Sequence, residues 1–322
     1  MTINKKVLVL GGAGLIGSHL VESLVSKNFK VTVIDDFSKG KISNLKKVKK
    51  KIKIIKLNLE KKFDLSSLFT EHKIVFHLAS RAYGVGYSDG NHKKIFLHNK
   101  KITDNILSSL KKSKINYFQC VSSSCVYRDS GPSRISEKMK LTGSPEKANL
   151  GYGMAKRYLE KKIKIAANEN KFYLSIVRPF NIYGDRYKWV GSKSQAIPML
   201  INKVVRSKKK IKIWGSGMQK RNYLYVTDCA EIMIRIFLKK YVRTPINIGY
   251  SDTISIKNLV SKICNLAKKN LEFKYDLNKP EGRFIKSSDP KLLRKITSNY
   301  RPRINLDQGL KNMLKWHRKN FK

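Results

Sequence analysis

Tyr152-Gly153-Met154-Ala155-Lys156 sets a phenol and an ammonium four residues apart, hence on one face at the start of a helix. A cation beside a phenol favours the phenolate, as does the charge of an oxidised nicotinamide, and brings the tyrosine toward the range in which it acts as a base. Upstream, Ser122-Ser123-Ser124 closes a strand-like run with hydroxyls, and Cys125 adds a thiol. Phenol, ammonium and hydroxyl suit removal of a proton from a carbinol while hydride leaves its carbon. The thiol is open to two readings, because a free cysteine is a mobile acid/base and also a common small core residue.

Hydride needs an acceptor, and the chain has a place for one. Gly11-Gly12-Ala13-Gly14-Leu15-Ile16-Gly17 lies between an apolar run at 5–10 and a helical pattern at 15–27, with a second apolar run at 30–34, which makes a βαβ unit. Gly11 permits the tight turn, Gly14 lets backbone approach a pyrophosphate, and Gly17 lets helix and strand pack closely. Asp35, 18 residues after Gly17, is placed to accept hydrogen bonds from a ribose 2′-OH and to repel a 2′-phosphate, which favours NAD over NADP; Asp36 is a second candidate.

Further strand-like runs at 52–57, 74–78, 117–121 and 173–177 alternate with helical patterns at 95–110 and 155–167. Alternation of this kind predicts an α/β fold, a Rossmann-type doubly wound parallel sheet with helices on both faces. After residue 184 the elements shorten: a helix near 197–206, strands at 210–214 and 223–226, a helix at 228–238, and an amphipathic helix at 306–319. The expected organisation is a dinucleotide-binding domain over 1–180, with 223–245 returning to it, and a smaller mixed α/β substrate domain over 181–322.

The chain has 322 residues with 69 Lys+Arg against 22 Asp+Glu, a net charge of +47. Such a charge raises a nucleic-acid reading, but 54 of the cations are lysine, spread along the chain, and only 15 are the arginine that base and phosphate recognition favours. The densest run, 46–51, reads as a solvated surface, so no specific nucleic-acid partner is expected. At 41% hydrophobic the chain is too apolar for disorder. No apolar stretch reaches the roughly 18 residues of a membrane span, and Met-Thr-Ile-Asn-Lys-Lys leads straight into a strand, so neither span nor export signal is expected. Cys120, Cys125, Cys229 and Cys264 show no CxxC pair or metal-ligand spacing, which fits a reducing cytoplasm and no metal.

The ordered series of motifs resembles the extended short-chain dehydrogenase/reductase family, specifically its NAD-dependent nucleotide-sugar epimerases and dehydratases. It includes the glycine turn, Asp35, His77-Leu78-Ala79-Ser80, the serines and the Tyr152/Lys156 pair. Arg178-Pro179-Phe180-Asn181-Ile182-Tyr183-Gly184, Trp214-Gly215-Ser216-Gly217 and Arg221 before Tyr225-Val226-Thr227-Asp228 complete it. The resemblance implies NAD held by Gly11, Gly14, Leu15, Ile16, Gly17, Asp35, Asp36, Asn58, Leu59, Leu78, Ala79, Ser80 and Pro179, with Lys156 on its nicotinamide ribose. It further implies Ser123, or alternatively Ser124, and Tyr152 on the sugar hydroxyl. Asn181 and Arg221 would contact the substrate diphosphate, and Gly86, Ser124, Lys193, Gln195, Trp214 and Arg283 the rest of a nucleotide sugar. Two departures stand out: Asn58 where the family has an aspartate touching adenine, and Arg128 where a glycine is common. The helices at 95–110 and 155–167 would form a homodimer.

The shared first step in that family yields a 4-keto sugar, and the remaining acids and bases decide the fate of that ketone. Ser124-Cys125 replaces the Asp-Glu of a 4,6-dehydratase, which counts against dehydration. Ser123-Ser124-Cys125-Val126-Tyr127 is similar to the branch containing GDP-mannose 3′,5′-epimerase and GDP-fucose synthase, whose cysteine moves protons beside the ketone. Gly84-Val85-Gly86-Tyr87, Trp189-Val190-Gly191 and Pro280-Glu281-Gly282 look like that branch too. Those enzymes pair the cysteine with a Lys or His before the proline that here is Pro198; Gln195 stands at that place, with Lys193 nearby. Asp35 counts against the NADPH-dependent synthase. The expected activity is therefore an NAD-dependent epimerase on a GDP-linked sugar, or a UDP-linked one, in surface-polysaccharide precursor synthesis. A 4-epimerase, a C4 dehydrogenase and a polyanion-binding protein that keeps the fold are the alternatives.

Overall fold

Valines and leucines alternate along the first strand so that Val7 and Val9 point to one side of a sheet and Leu8 and Leu10 to the other, and all four are fully buried. A strand buried on both faces needs helices on both faces. The computed structural model describes residues 5–187, 189, 191, 193–239, 244–279 and 282–321. Its strands are β1 (Lys6–Leu10), β2 (Lys30–Asp35), β3 (Ile52–Lys56), β4 (Ile74–His77), β5 (Tyr117–Val121), β6 (Arg134–Ile135), β7 (Tyr173–Pro179), β8 (Ile182–Tyr183), β9 (Lys210–Trp214), β10 (Lys220–Arg221), β11 (Leu224–Tyr225), β12 (Ile246–Ile248), β13 (Ile254–Ser255), β14 (Glu272–Asp276) and β15 (Ile285–Ser288). Its helices are α1 (Leu15–Ser26), α2 (Ser66–His72), α3 (Val85–Ser88), α4 (His92–Leu110), α5 (Leu150–Glu169), α6 (Ala196–Arg206), α7 (Val226–Leu238), α8 (Ile256–Ala267), α9 (Lys291–Ile296) and α10 (Leu306–Asn320).

The expected doubly wound sheet is present: seven strands in the order β3-β2-β1-β4-β5-β7-β12, every pair parallel. The chain reverses direction across the sheet between β1 and β4, which opens a crevice at their carboxyl ends. On one face Val7, Val9, Val31 and Val33 pack under α1 and α7; on the other Leu8, Leu10 and Phe118 pack under α4 and α5. Each such side chain gains about 1.5–3 kcal/mol over its exposed state.

A second lobe is built on α6, α8 and α10 around Trp189, Leu200, Ile213, Leu259 and Met313. A four-stranded sheet, β13-β10-β15-β6, ties the lobes together, because β6 comes from the segment after β5 and the other three strands from the carboxyl-terminal part. The strand expected over 223–226 is shorter: its partner β8 offers two residues before Gly184, so only Leu224 and Tyr225 pair, and Val226 already starts α7. The seventh strand of the large sheet comes from 246–248. Helices α2, α8 and α9 and strands β12, β14 and β15 go beyond the elements expected from the sequence. Among the described residues no helix is long and apolar enough to cross a membrane. The lysines at 46, 47, 49, 50 and 51 are exposed while Leu45 and Val48 are buried, so the run is an outer face pinned by two apolar anchors.

The turn after β1 is fixed by backbone contact. Gly11 has φ +81°, and a Cβ there would lie 2.6 Å from the Ala79 nitrogen; a Cβ on Gly17 would lie 2.2 Å from the Gly11 oxygen. A Cβ on Gly14 meets nothing closer than 3.5 Å. Gly17→Ala should therefore lose about 1–3 kcal/mol of stability in urea unfolding, whereas Gly14→Ala should stay within about 0.5 kcal/mol of the parent.

Candidate active site

The first turn of α5 carries Tyr152, and the turn above it carries Lys156. Gly153 lets this helix start press against the segment after β5: a Cβ there would be 2.5 Å from the Cys125 oxygen. Lys156, 2% exposed, donates from Nζ to the Val121 carbonyl at 2.8 Å, and its Nζ lies 5.5 Å from the centre of the Tyr152 ring. Burial lowers its pKa to about 8. Burial also raises the pKa of the Tyr152 phenol, against which a hydrogen bond with Ser80 at the end of the β4 segment works. Beside them, His77 is buried with its pKa lowered to about 3, first by burial and then by Lys156, so Lys156 is the cation of this wall.

Ser123 caps a short turn over Ser124–Val126, its Oγ accepting from the Cys125 N–H at 3.1 Å. Ser124 is buried and Cys125 partly exposed. The structure thus gathers Ser80, Ser123, Cys125, Tyr152 and Lys156 at the carboxyl ends of β4 and β5.

Beneath this wall lies a buried ionic network. Arg178, on β7, donates to Glu160 of α5 through Nε at 2.8 Å and Nη2 at 2.5 Å, and through Nη1 to the Tyr127 hydroxyl at 2.8 Å. Ser122 donates to the same Glu160 at 2.5 Å, and Tyr127 donates to Asn247 of β12 at 2.7 Å. The sequence displayed Arg178 only as part of a motif, and Glu160 as one charge on a Lys-rich helix.

The glycine turn faces the crevice with the backbone of Leu78 and Ala79 against Gly11. Gly14 caps α1 without a side chain, so the first N–H groups of that helix, at Leu15, Ile16 and Gly17, have no side-chain cap and suit a pyrophosphate. Asp35 ends β2 and accepts from the Ala13 N–H and the Phe37 N–H, both at 2.9 Å; burial raises its pKa against those bonds. Asp36 pairs with Arg81 at 2.8 Å, and Arg81 also holds Glu60 at 2.7 Å, an arrangement the sequence did not reveal. The backbone cradle and the Asp35 carboxylate fit a dinucleotide with a free 2′-hydroxyl. Asn58 accepts from the Glu60 N–H at 2.9 Å, Leu59 is buried in the core, and Pro179 ends β7.

The residues expected around a substrate are more dispersed. Gly86 lies in α3, and the Lys193 ammonium sits 4.8 Å from the ring centre of the neighbouring Tyr87, reaching across from the second lobe. Gln195 caps α6 by backbone alone. Asn181, at φ +36°, donates to the Asn222 carbonyl at 2.9 Å. Arg221 donates to the carbonyls of Lys220 and Phe284, and Trp214 lies under the ammonium groups of Lys203 and Lys279. The Arg283 guanidinium is taken up by the carbonyls of Arg128, Gly131, Pro132 and Ile285, so it pins the loop after Tyr127. Val190, Pro280 and Glu281 lie outside the described residues.

Two groups near Cys125 carry no signal in the sequence. Lys286 of β15 places Nζ 3.8 Å from the thiol sulfur and forms an ion pair with Glu146, which precedes α5; both are buried. Burial pushes the Cys125 thiol up to about 11, with Lys286 opposing the shift and Glu146 adding to it.

The model of the NAD dependent epimerase/dehydratase family matches residues 7–249. The UDP-N-acetyl-alpha-D-glucosaminuronate decarboxylase of Bacillus cytotoxicus is 31% identical to this chain, covering 98% of each. The GDP-L-fucose synthase of Sinorhizobium fredii is 28% identical over 95% of this chain and 93% of its own length. Among solved structures, the UDP-glucuronic acid 4-epimerase of Bacillus cereus, in complex with UDP-glucuronic acid and NAD, superposes with a TM-score of 0.86 at 25% identity, covering 98% of this chain and 100% of that one.

Glu160→Gln keeps the shape of the side chain and strands the buried Arg178 charge, a change that costs about 3–5 kcal/mol. Denaturant unfolding should read a loss of that size, and an unchanged midpoint would remove the network from the fold's supports.

Proposed function

The chain belongs to the NAD-dependent epimerase/dehydratase family of nucleotide-sugar enzymes, and from that premise we propose that it epimerises a nucleotide-linked hexose through a 4-keto intermediate. Tyr152 takes the proton of the C4 hydroxyl, Ser123 hydrogen-bonds the same oxygen, and Lys156 favours the phenolate electrostatically. Bound NAD supplies the hydride acceptor for C4 and the donor for the return. The ketone acidifies the hydrogens at C3 and C5, and Cys125 is the group in reach to exchange one of them.

The observation that carries this reading is the convergence of Ser123, Cys125 and Tyr152 on one wall, with the buried Lys156 fixed to the Val121 carbonyl behind them. Asn181 and Arg221 are assigned to the nucleotide diphosphate, and Trp214 to the rest of the nucleotide sugar. GDP is favoured over UDP by the Ser123–Tyr127 pattern and by similarity to the GDP-L-fucose synthase, while the decarboxylase and the glucuronic acid 4-epimerase support UDP. Reaction at C4 alone is the second reading, favoured by a thiol that burial keeps protonated. Four unpaired cysteines fit a cytoplasmic enzyme. A homodimer through α4 and α5 would cover Leu97, Met154 and Ile165, each at least 42% exposed.

Incubation with a panel of GDP- and UDP-sugars in D₂O, read by mass spectrometry, tests the proposal. Deuterium should enter at C3 or C5 with the parent chain and not with Cys125→Ala. Turnover without deuterium at those carbons would leave C4 chemistry. Tyr152→Phe should lower kcat by about 10²–10⁴-fold, and full activity in that variant would overturn the whole redox reading.

A further inference from the structure

We propose that Glu146 and Lys286 form a buried charge pair that governs the protonation of Cys125, the ammonium favouring the thiolate and the carboxylate favouring the thiol. Its use in turnover rests on the assignment of Cys125 to proton transfer beside the ketone.

The three side chains come from separate parts of the chain. Cys125 lies in the turn after β5, Glu146 immediately precedes the short turn that leads into α5, and Lys286 comes from β15, on the sheet that joins the lobes. Lys286 is 5% exposed and Glu146 7%, and their charged ends are in hydrogen-bond contact. Burying two charges costs several kcal/mol per ion unless further partners satisfy them, and apolar residues of similar volume hold such a junction as well. Here the further partner is the thiol: its sulfur lies 3.8 Å from Lys286 Nζ, the same ammonium that the Glu146 carboxylate pairs with.

The S–H bond of Cys125 breaks with its proton passing to water, giving a thiolate beside the Lys286 ammonium. The thiolate takes a proton from C3 or C5, the C–H electron pair moving toward the C4 carbonyl oxygen, and the thiol so formed again gives its proton to water. Delivery of a proton from water to the opposite face of the enolate inverts the carbon. No electrons leave the system. The other groups facing this cluster are the Ser123 hydroxyl, the Tyr152 phenol from α5, Arg221 from β10, which pairs in register with Lys286, and the Arg283 guanidinium, which acts on Glu146.

The sign of each charge gives the test. Glu146 opposes ionisation of the thiol and Lys286 favours it. Alkylation of the intact chain by iodoacetamide across pH, followed by peptide-resolved mass spectrometry, reads Cys125 separately from the buried Cys120, Cys229 and Cys264. Glu146→Gln should lower the Cys125 midpoint by about one unit or more and Lys286→Met should raise it, since a charge at this distance moves a pKa by roughly 1–3 units. Lys286→Arg keeps the charge and should hold the midpoint near the parent's, which provides a variant that tests the idea even if Lys286→Met fails to fold. If both neutral variants drift together toward the ordinary thiol value, the pair only closes the site, and the proposal falls; it falls equally if neither moves. The D₂O experiment separates this from the assigned reaction. Opposite shifts with no C3 or C5 exchange in the parent would keep the charge control and discard its use in turnover. Exchange in the parent that is not lowered about tenfold, relative to C4 hydride transfer, by Lys286→Met would keep the reaction and discard the control.

Discussion

The Arg178–Glu160 pair is the contact on which the arrangement of the active wall depends. Glu160 lies on the same helix as Tyr152 and Lys156, Arg178 on the strand beside β5, and Ser122 immediately before Ser123, so one carboxylate ties the helix that carries Tyr152 to the strand end that carries Ser123. Its two oxygens accept three hydrogen bonds, and the remaining guanidinium donor goes to Tyr127, which reaches Asn247 on the edge strand. A buried ion pair is weak evidence for stability in itself. What this one supplies is a single register for α5: a shift of the helix would leave a charge unpaired in the core, where it is costly. Lys156 repeats the device at smaller scale, its ammonium fixed to a strand-end carbonyl.

The second constraint is close approach of backbone at the crevice. The Gly11 turn touches the Leu78–Ala79 backbone on one side and the start of α1 on the other, and each contact excludes a Cβ. Those contacts put the α1 N-terminus, the Asp35 carboxylate and the segment after β4 around one opening. Ser80, at the end of that segment, lies beside the Tyr152 phenol. The glycine turn and the wall therefore meet there, with the close-packed glycines on one side and the ionic network on the other.

Much of this is legible in the sequence because it is written in residue types with few alternative uses. Glycines at 11, 14 and 17, an aspartate 18 residues on, and a tyrosine four before a lysine point to the sheet, the crevice and the wall. The continuous apolar run of β1 and the helical spacing of α4 and α5 are equally plain, although α5 starts at Leu150, ahead of the expected 155, because the start carries Gly151 and Gly153. Lys286 is hidden among 54 lysines, since no local pattern separates a buried lysine from an exposed one, and its partner Glu146 lies 140 residues away in sequence. The short strands of the joining sheet have two to four residues each, too few for a periodic signal, so the surface that delivers Lys286 to Cys125 exists only in three dimensions. Helix α8 is the contrary case: Leu259, Val260, Ile263 and Cys264 carry a helical spacing, in a region whose prolines are the more conspicuous feature.

The +47 charge takes a different meaning once burial is known. Among the described residues only Lys156 and Lys286 are buried lysines, and both lie beside the wall. Of the 22 acidic residues, Asp35, Glu146, Glu160 and Asp228 are buried, each accepting bonds the fold needs, while others such as Glu71, Asp104 and Asp307 pair with surface lysines. Exposed lysines more than a Debye length apart, about 10 Å at 0.1 M salt, act on one another weakly. They also act weakly on a buried site, yet together they attract anions such as a dinucleotide or a sugar nucleotide toward the protein. Buried charges are screened far less, so in the proposed chemistry the two buried lysines act on the proton positions while the exposed ones govern approach. Under that reading, substitutions on the lysine-rich exterior reach the reaction only through capture, with an effect that fades as salt rises, whereas a change at Lys156, Lys286 or their acidic neighbours alters the protonation states themselves at any ionic strength.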